Sequence, residues 1–212
     1  MRKRKRIIQN LFITGVLLLS TMLTGCNKQT EPEYVPVNDN YRTFYQIFVG
    51  SFSDANGDGC GDLRGIINRL DYLNDGDINS GKSLGVQGIW LSPIFSSPSY
   101  HKYDASDYYK LDWRFGEEKD LKELVDLCHE RNVKLILDLA INHTSSKHEW
   151  FVQFKEARMN GDTANEYYDY YTCVTTAEKA GGMQYQKIAG VDAWYECNFS
   201  GDMPELNFDN PK

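Results

Sequence analysis

The run Val133-Lys134-Leu135-Ile136-Leu137 restricts the possible folds of this chain more than any other stretch. Apolar residues at nearly every position, rather than every second one, suit a strand of a parallel sheet that is buried on both faces. Directly after it come Asp138-Leu139-Ala140-Ile141-Asn142-His143. A carboxylate, an amide and an imidazole therefore stand where the strand ends. Ligands of parallel α/β sheets sit outside the carboxyl ends of the strands, so these residues are the first to suspect of chemistry. An ordinary polar loop would read the same over six residues, and the neighbouring stretches have to decide.

Upstream, strand and helix patterns alternate. Phe44 to Phe52 is aromatic and β-branched enough for a strand, and Leu63, Ile66, Ile67, Leu70 and Leu73 then share one helical face. Val86 to Ile94 reads as a second strand that Pro93 closes, Leu121, Leu124, Val125 and Cys128 mark a second amphipathic helix, and Val133 to Ile141 is the third strand. The β-α-β-α-β order implies a parallel sheet with right-handed crossovers, and leaves open whether the sheet closes on itself or stays doubly wound. After His143 the pattern changes. Trp150 to Met159 fits one short helix, whereas Asn160 to Asn207 is aromatic, Gly-rich and without a sustained period. That length is too great for a plain loop and fits a small inserted domain of irregular strands.

The first residues are read as a targeting segment. Arg2-Lys3-Arg4-Lys5-Arg6 is followed by an apolar core from Leu11 to Leu19, too short for a comfortable membrane span, and then by Leu23-Thr24-Gly25-Cys26. This resembles a bacterial lipoprotein leader, which implies removal of residues 1–25, lipidation of Cys26, and an exported protein held by its lipid at the cell surface or the outer face of the membrane. Residues 26–40, with Pro32 and Pro36, read as a spacer. Loss of the five basic leader groups takes the formal charge from −7 to −12. An acidic chain with no basic stripe argues against nucleic acid as a partner. Cys60, Cys128, Cys173 and Cys197 have neither zinc-site nor dense disulfide spacing, and only Cys173 with Cys197 is worth considering as a pair.

Two further stretches carry chemistry. Asp54-Ala55-Asn56-Gly57-Asp58-Gly59-Cys60-Gly61-Asp62 places oxygen side chains at alternate positions and glycines where the chain must bend. Calcium wants six to eight oxygens, and four acidic or amide groups in nine residues repel one another without a cation. Gly65 stands where an EF-hand loop needs its last Glu, so this is not an EF-hand; a plain Asp- and Gly-rich turn is the other reading. Beyond the second strand, Ser99-Tyr100-His101-Lys102-Tyr103-Asp104 mixes aromatic rings with a histidine and a carboxylate. Sugars need both, rings for their C–H faces and charged partners for their hydroxyls, although aromatic loops also pack over cores.

Four stretches in this order, Asp54 to Asp62, Gly88 to Pro93, Asp138 to His143, and Met203-Pro204-Glu205-Leu206-Asn207, resemble glycoside hydrolase family 13, the α-amylase family. The likeness runs from about Arg42 to Lys212. It implies a (β/α)8 barrel, with residues 41–143 as its first part, 144–207 as the small domain inserted after the third strand, and 208–212 as the return. It also implies a hydrolase of α-1,4-glucans such as starch and maltooligosaccharides that acts by a retaining mechanism. Carried over by position, Asp54, Asn56, Asp58 and Asp62, with the Cys60 carbonyl, resemble calcium ligands, and Asn142 resembles a residue that helps bind a different calcium. Tyr103 resembles the ring that stacks on the sugar at the cleavage subsite, His143 a residue that hydrogen-bonds that sugar, and Asp138 a mainly structural position, with His101 and Asp104 flanking. Lys102 stands where members usually have Gly, which suggests a long cation near the sugar, and Glu205 replaces an Asp. The family's nucleophile follows the fourth strand and its acid/base the fifth, whereas the sequence reaches Lys212 before a fourth strand. These 212 residues are therefore expected to be an N-terminal portion that is inactive alone. An oligo-α-1,6-glucosidase shares the metal loop, although such exo-acting members usually carry an acidic residue in place of Tyr100. A lipid-anchored glucan-binding protein without catalysis is the reading from another class.

Overall fold

The computed structural model describes residues 43–211; the leader, Cys26 and the spacer lie outside the described residues. In chain order the elements are β1 (Phe44–Ile47), α1 (Val49–Phe52), α2 (Leu63–Asn68), α3 (Leu70–Leu73), β2 (Gly88–Leu91), β3 (Phe95–Ser96), β4 (Asp107–Leu111), α4 (Glu118–Glu130), β5 (Lys134–Leu137), α5 (Glu149–Asn160), β6 (Cys173–Val174), β7 (Tyr185–Lys187) and β8 (Trp194–Glu196). Strands β1, β2 and β5 form a parallel sheet in that order, with Tyr45, Ile89 and Leu135 in one row and Ile47, Leu91 and Leu137 in another.

Side chains alternate across this sheet. Ile47, Ile89 and Leu91 point to the helices and share a core with Leu63 and Ile66 of α2, Leu70 and Leu73 of α3, and Leu124 and Cys128 of α4. On the opposite face Gln46, Trp90 and Ile136 lie in one row, with Trp90 40 % and Ile136 43 % exposed. α2, α3 and α4 all cover one face of this sheet, whose parallel strands follow one another in sequence order. A doubly wound sheet has helices on both faces, so this is the first part of a (β/α)8 barrel, incomplete in this chain. The expectation that the third strand is buried on both faces is therefore corrected, because nothing among the described residues covers its second face.

Several boundaries also move. The expected first strand from Phe44 to Phe52 breaks at Phe48, and Val49–Phe52 turns helical because the loop up to Asp62 folds back on it: Gly61 N–H donates to the Gly50 carbonyl (2.8 Å) and Asp62 N–H to Ser53 (3.0 Å). At Gly65 a Cβ would lie 1.9 Å from the Ser53 carbonyl oxygen, so only glycine allows that approach. The expected helix from Leu63 to Leu73 is interrupted at Arg69. The second and third strands are shorter than their apolar runs.

The segment after His143 holds its own core. α5 is capped before its first residue by His148, whose ring accepts Trp150 N–H, and after its last by Gly161 with φ +65°. Its Phe151 and Phe154 pack on Tyr171 and Tyr195. The irregular strands expected here form a three-stranded antiparallel sheet, order β6-β8-β7. Cys173 lies opposite Tyr195, which makes Cys197 its diagonal neighbour at about 7–8 Å between Cα atoms. That is longer than a disulfide usually spans, and both are free thiols, as are Cys60 and Cys128.

Candidate functional site

The ladder between β2 and β5 ends with Asp138 N–H donating to the Leu91 carbonyl (2.9 Å), so the Asp138 side chain stands at the carboxyl end of the sheet. Tyr103 reaches it from the loop after β3, its hydroxyl donating to Asp138 Oδ2 at 2.8 Å. Burial first, and then the Asp138 bond and charge, push the Tyr103 phenol above its ordinary range. On the other side of Tyr103, His143 Nε2 lies 3.2 Å from the Tyr103 carbonyl and Nδ1 lies 2.8 Å from the Asn142 amide nitrogen. An amide N–H can only donate, so Nδ1 accepts and Nε2 carries the proton given to Tyr103. This is the neutral imidazole, and burial pulls its pKa below 6.5. Both ring nitrogens of His143 therefore already hold protein partners. The exposed Phe199 ring lies beside it, 5.2 Å between centroids.

His101 and Asp104 belong to the same loop. Asp104 is buried and accepts hydrogen bonds from the hydroxyls of Ser97 (2.7 Å) and Ser99. His101 Nδ1 accepts Tyr103 N–H at 3.1 Å. Lys102 does not extend towards the sugar position, which corrects the expectation. Its backbone takes φ +67°, where glycine is at ease, and its side chain turns inward onto Asp112 (2.7 Å). The sequence reading gave no individual role to Ser99 or Tyr108 and missed Ser97 and Phe199. Tyr108 is the most consequential of these: its hydroxyl sits 2.7 Å from the carbonyls of both Ala140 and His143 and so pins the loop that carries Asn142. Its only sequence signal is a place among fourteen tyrosines.

Asn142 is an exposed loop residue whose carbonyl accepts Leu206 N–H (2.9 Å). Burial raises the carboxyl of Glu205, and the Asn142 side chain, hydrogen-bonded to it, works the other way. The loop from Asp54 to Asp62 is organised by its own backbone. Asp54 accepts N–H groups of Gly57 (2.6 Å) and Gly59 (2.8 Å), Asn56 accepts Asp58 N–H, and Asp58 accepts Cys60 N–H. These amides hold the Asp54 carboxyl below its ordinary range. Asp62 is buried, caps α2 through Gly65 N–H (2.6 Å) and also takes Ala55 N–H (3.2 Å). Among the described residues no three His, Cys, Asp or Glu side chains gather closely enough to hold a metal ion. The donor set is nevertheless all hard oxygen, and each carboxylate oxygen keeps a second lone pair, so the chemistry fits calcium.

Two buried histidines set a pH dependence, since burial lowers the pKa of His148 as it does that of His143. Their contribution to stability is complete above the unfolded value of about 6.5 and is lost as pH falls towards the lower folded values. The thermal midpoint is expected to fall between about pH 7 and pH 5, and to fall less steeply in His143→Gln. Melting curves across that range check this; parallel slopes in the two proteins would count against His143.

Residues 46–212 match the family model for the α-amylase catalytic domain. Over 198 residues the chain is 41 % identical to "Alpha-amylase 3" of Dictyoglomus thermophilum, covering 93 % of this chain and 36 % of that one. It is 44 % identical over 180 residues to an "Oligo-1,6-glucosidase" of Bacillus cereus, covering 79 % and 30 %. The crystal structure of an alpha-amylase from H. orenii superposes with a TM-score of 0.68 at 44 % identity, over 80 % of this chain and 35 % of that one. The chain thus spans about a third of the length of the relatives it matches. It belongs to the α-amylase family of glycoside hydrolases, of whose catalytic domain it carries the N-terminal part.

Proposed function

We propose that this chain is the substrate-gripping portion of an exported glycoside hydrolase that acts on α-1,4-glucans with retention. The observation that carries the reading is the Tyr103–Asp138 contact at the carboxyl ends of β2 and β5, with His143 behind it and His101 and Asp104 on the same loop. A half-buried ring beside fixed carboxylates suits a pyranose, whose C–H face packs on the ring while its hydroxyls find charged partners. Retaining cleavage needs a nucleophilic carboxylate and a carboxylic acid about 5–5.5 Å apart. In the family that the chain resembles this pair follows later strands, and residues 27–212 alone are expected to bind without cleaving. The 44 % identity to the oligo-1,6-glucosidase favours α-1,6 substrates as a second reading. Against it stands Tyr100, an exposed rim residue where those enzymes usually have an acid. Calorimetry with maltotriose and isomaltotriose is expected to show weak binding that prefers maltotriose, with Tyr103→Ala weakening it roughly tenfold or more, and no reducing sugar released from starch. Binding untouched by Tyr103→Ala would remove the ring from the site.

The loop from Asp54 to Asp62 is read as a calcium site in which Asp54, Asn56, Asp58, Asp62 and the Cys60 carbonyl would hold the ion, and Asn142 as a candidate for another. When bound, the ion supplies positive charge that offsets the repulsion among Asp54, Asp58 and Asp62. A cation bound only by the folded state stabilises it by mass action. Chelation is expected to lower the thermal midpoint of the wild-type chain and to leave Asp58→Ala unmoved. Equal melts of wild type with and without chelator, after metal loss is verified, would reject the site.

Cys26 is read as the lipid attachment point that holds the protein to the membrane. No helix among the described residues is long and apolar enough to cross a bilayer. Cys26→Ser is expected to move the protein from the membrane fraction to the soluble fraction; retention through a carbonate wash would indicate an uncleaved helix instead.

A further inference from the structure

The sugar contacts proposed above make no use of Lys102, the residue between His101 and Tyr103. Lys102 carries two costs at once. Its φ of +67° is a conformation that L side chains other than Asn and Asp rarely take, and its ammonium is buried, with the residue only 1 % exposed. Its interactions inside the protein are correspondingly complete. Nζ lies 2.7 Å from Asp112 Oδ2, donates to the Ser97 carbonyl at 3.2 Å, and stands 5.6 Å from the centre of the Phe115 ring. Asp112, at the end of β4, is itself 2 % exposed, and its other oxygen takes the Arg114 side chain (3.0 Å) and backbone N–H (3.2 Å). Burial opposes the Asp112 charge, but the bonds from Arg114 and Lys102 outweigh it and hold the carboxyl below its ordinary range.

The side chain of Lys102 runs into the protein, while Tyr103 meets Asp138 at the strand ends. The bonds of Asp104 to Ser97 and Ser99 and of Lys102 N–H to Ser99 Oγ (3.3 Å) stay within the loop. Outward, Tyr103 is tied to Asp138 and His143 and the Ser97 carbonyl to Arg114 (3.4 Å), and the Lys102–Asp112 pair is the buried ionic tie on the inner side. We propose that Lys102 is a positioning residue, whose ammonium, locked onto Asp112, latches the 97–104 loop so that Tyr103 is presented at the mouth of the sheet. The latch anchors the loop from the inside, at the one position whose two neighbours both line the site. Only its consequence for sugar rests on the function proposed above; the latch itself can be read out in the free protein.

The test uses the full 212-residue chain. Acetic anhydride under native conditions, with products mapped by mass spectrometry, is expected to spare Lys102 while modifying the exposed Lys110, Lys119 and Lys122. Lys102→Gly accepts the backbone conformation without strain and removes the whole side chain, ammonium included, while Lys102→Arg keeps a long stem and a cation. In that variant hydrogen exchange in residues 97–104 should rise roughly tenfold or more, with exchange in α5 unchanged. Nitration of Tyr103 should rise with it. Lys102→Arg, which returns a cation to Asp112, should restore the wild-type pattern. Wild-type exchange and Tyr103 reactivity in Lys102→Gly would overturn the latch, and so would acetylation of Lys102 at the rate of Lys110, a measurement that needs no variant to fold. If the latch signature holds but the wild type binds no maltooligosaccharide, the sugar reading fails and the latch stands.

Discussion

Asp138 N–H donating to the Leu91 carbonyl is the last rung between β2 and β5, and the site depends on which residues that rung joins. A parallel ladder shifted by one residue would turn every side chain of β5 to the other face. The register is held by the core: Ile89 and Leu91 are fully buried against the helices, with Leu135 packed beside them. Packing on one face of the sheet thus decides where Asp138 emerges, and Tyr103 can meet it only there. The stabilising chemistry and the recognition chemistry share one backbone alignment.

The loop after β5 is held independently. Its carbonyls at Ala140 and His143 converge on the Tyr108 hydroxyl, while Leu206 N–H donates to Asn142 and Thr144 N–H to Pro204. Thr144 then meets the fully buried Tyr171 hydroxyl at 2.7 Å, and Tyr171 sits among Phe151, Phe154 and Tyr195. A burial of about this size, several aromatic rings in edge-on contact, is an ample anchor for a short polar loop. His143 is therefore held by protein contacts alone, with no ligand present. With both its ring nitrogens occupied, its direct role is to hold the Tyr103 carbonyl, and a sugar hydroxyl would have to share or displace that bond.

Much of this was legible in the sequence. The apolar run ending in Asp138 marked the sheet and its functional end, and the four ordered stretches marked the family. What stayed hidden was tertiary. Nothing in Phe44 to Phe52 says that a loop will fold back and turn Val49–Phe52 helical, since that follows from glycines at 61 and 65 approaching a backbone far from them in pattern. Lys102 was read as a cation near the sugar because it stands at the family position next to the sugar-facing tyrosine, and long charged side chains are usually exposed. Its partner, Asp112, is ten residues away across a hairpin, and no local pattern announces the pair. The metal loop shows the opposite limit. Its pattern of oxygens was clear, yet the repulsion that argued for a cation is partly answered by the loop's own N–H groups.

The face of the sheet away from the helices carries the last step. Gln46, Trp90 and Ile136 form one row there, and the Phe44 ring lies over Gly88, where a Cβ would come within 2.3 Å of it. β5 has no strand on its outer edge among the described residues. Half-exposed rings and an open edge are the features a barrel resolves when its strands close, because closure removes the edges and buries the inward row. The same closure would bring further strand ends around Asp138, and those ends are where a barrel places its catalytic groups. Completion of the core and completion of the active site are therefore one event in this architecture. Tyr103 and His143 are already tied to Asp138, to Asn142 and to each other at the place where such strand ends would gather.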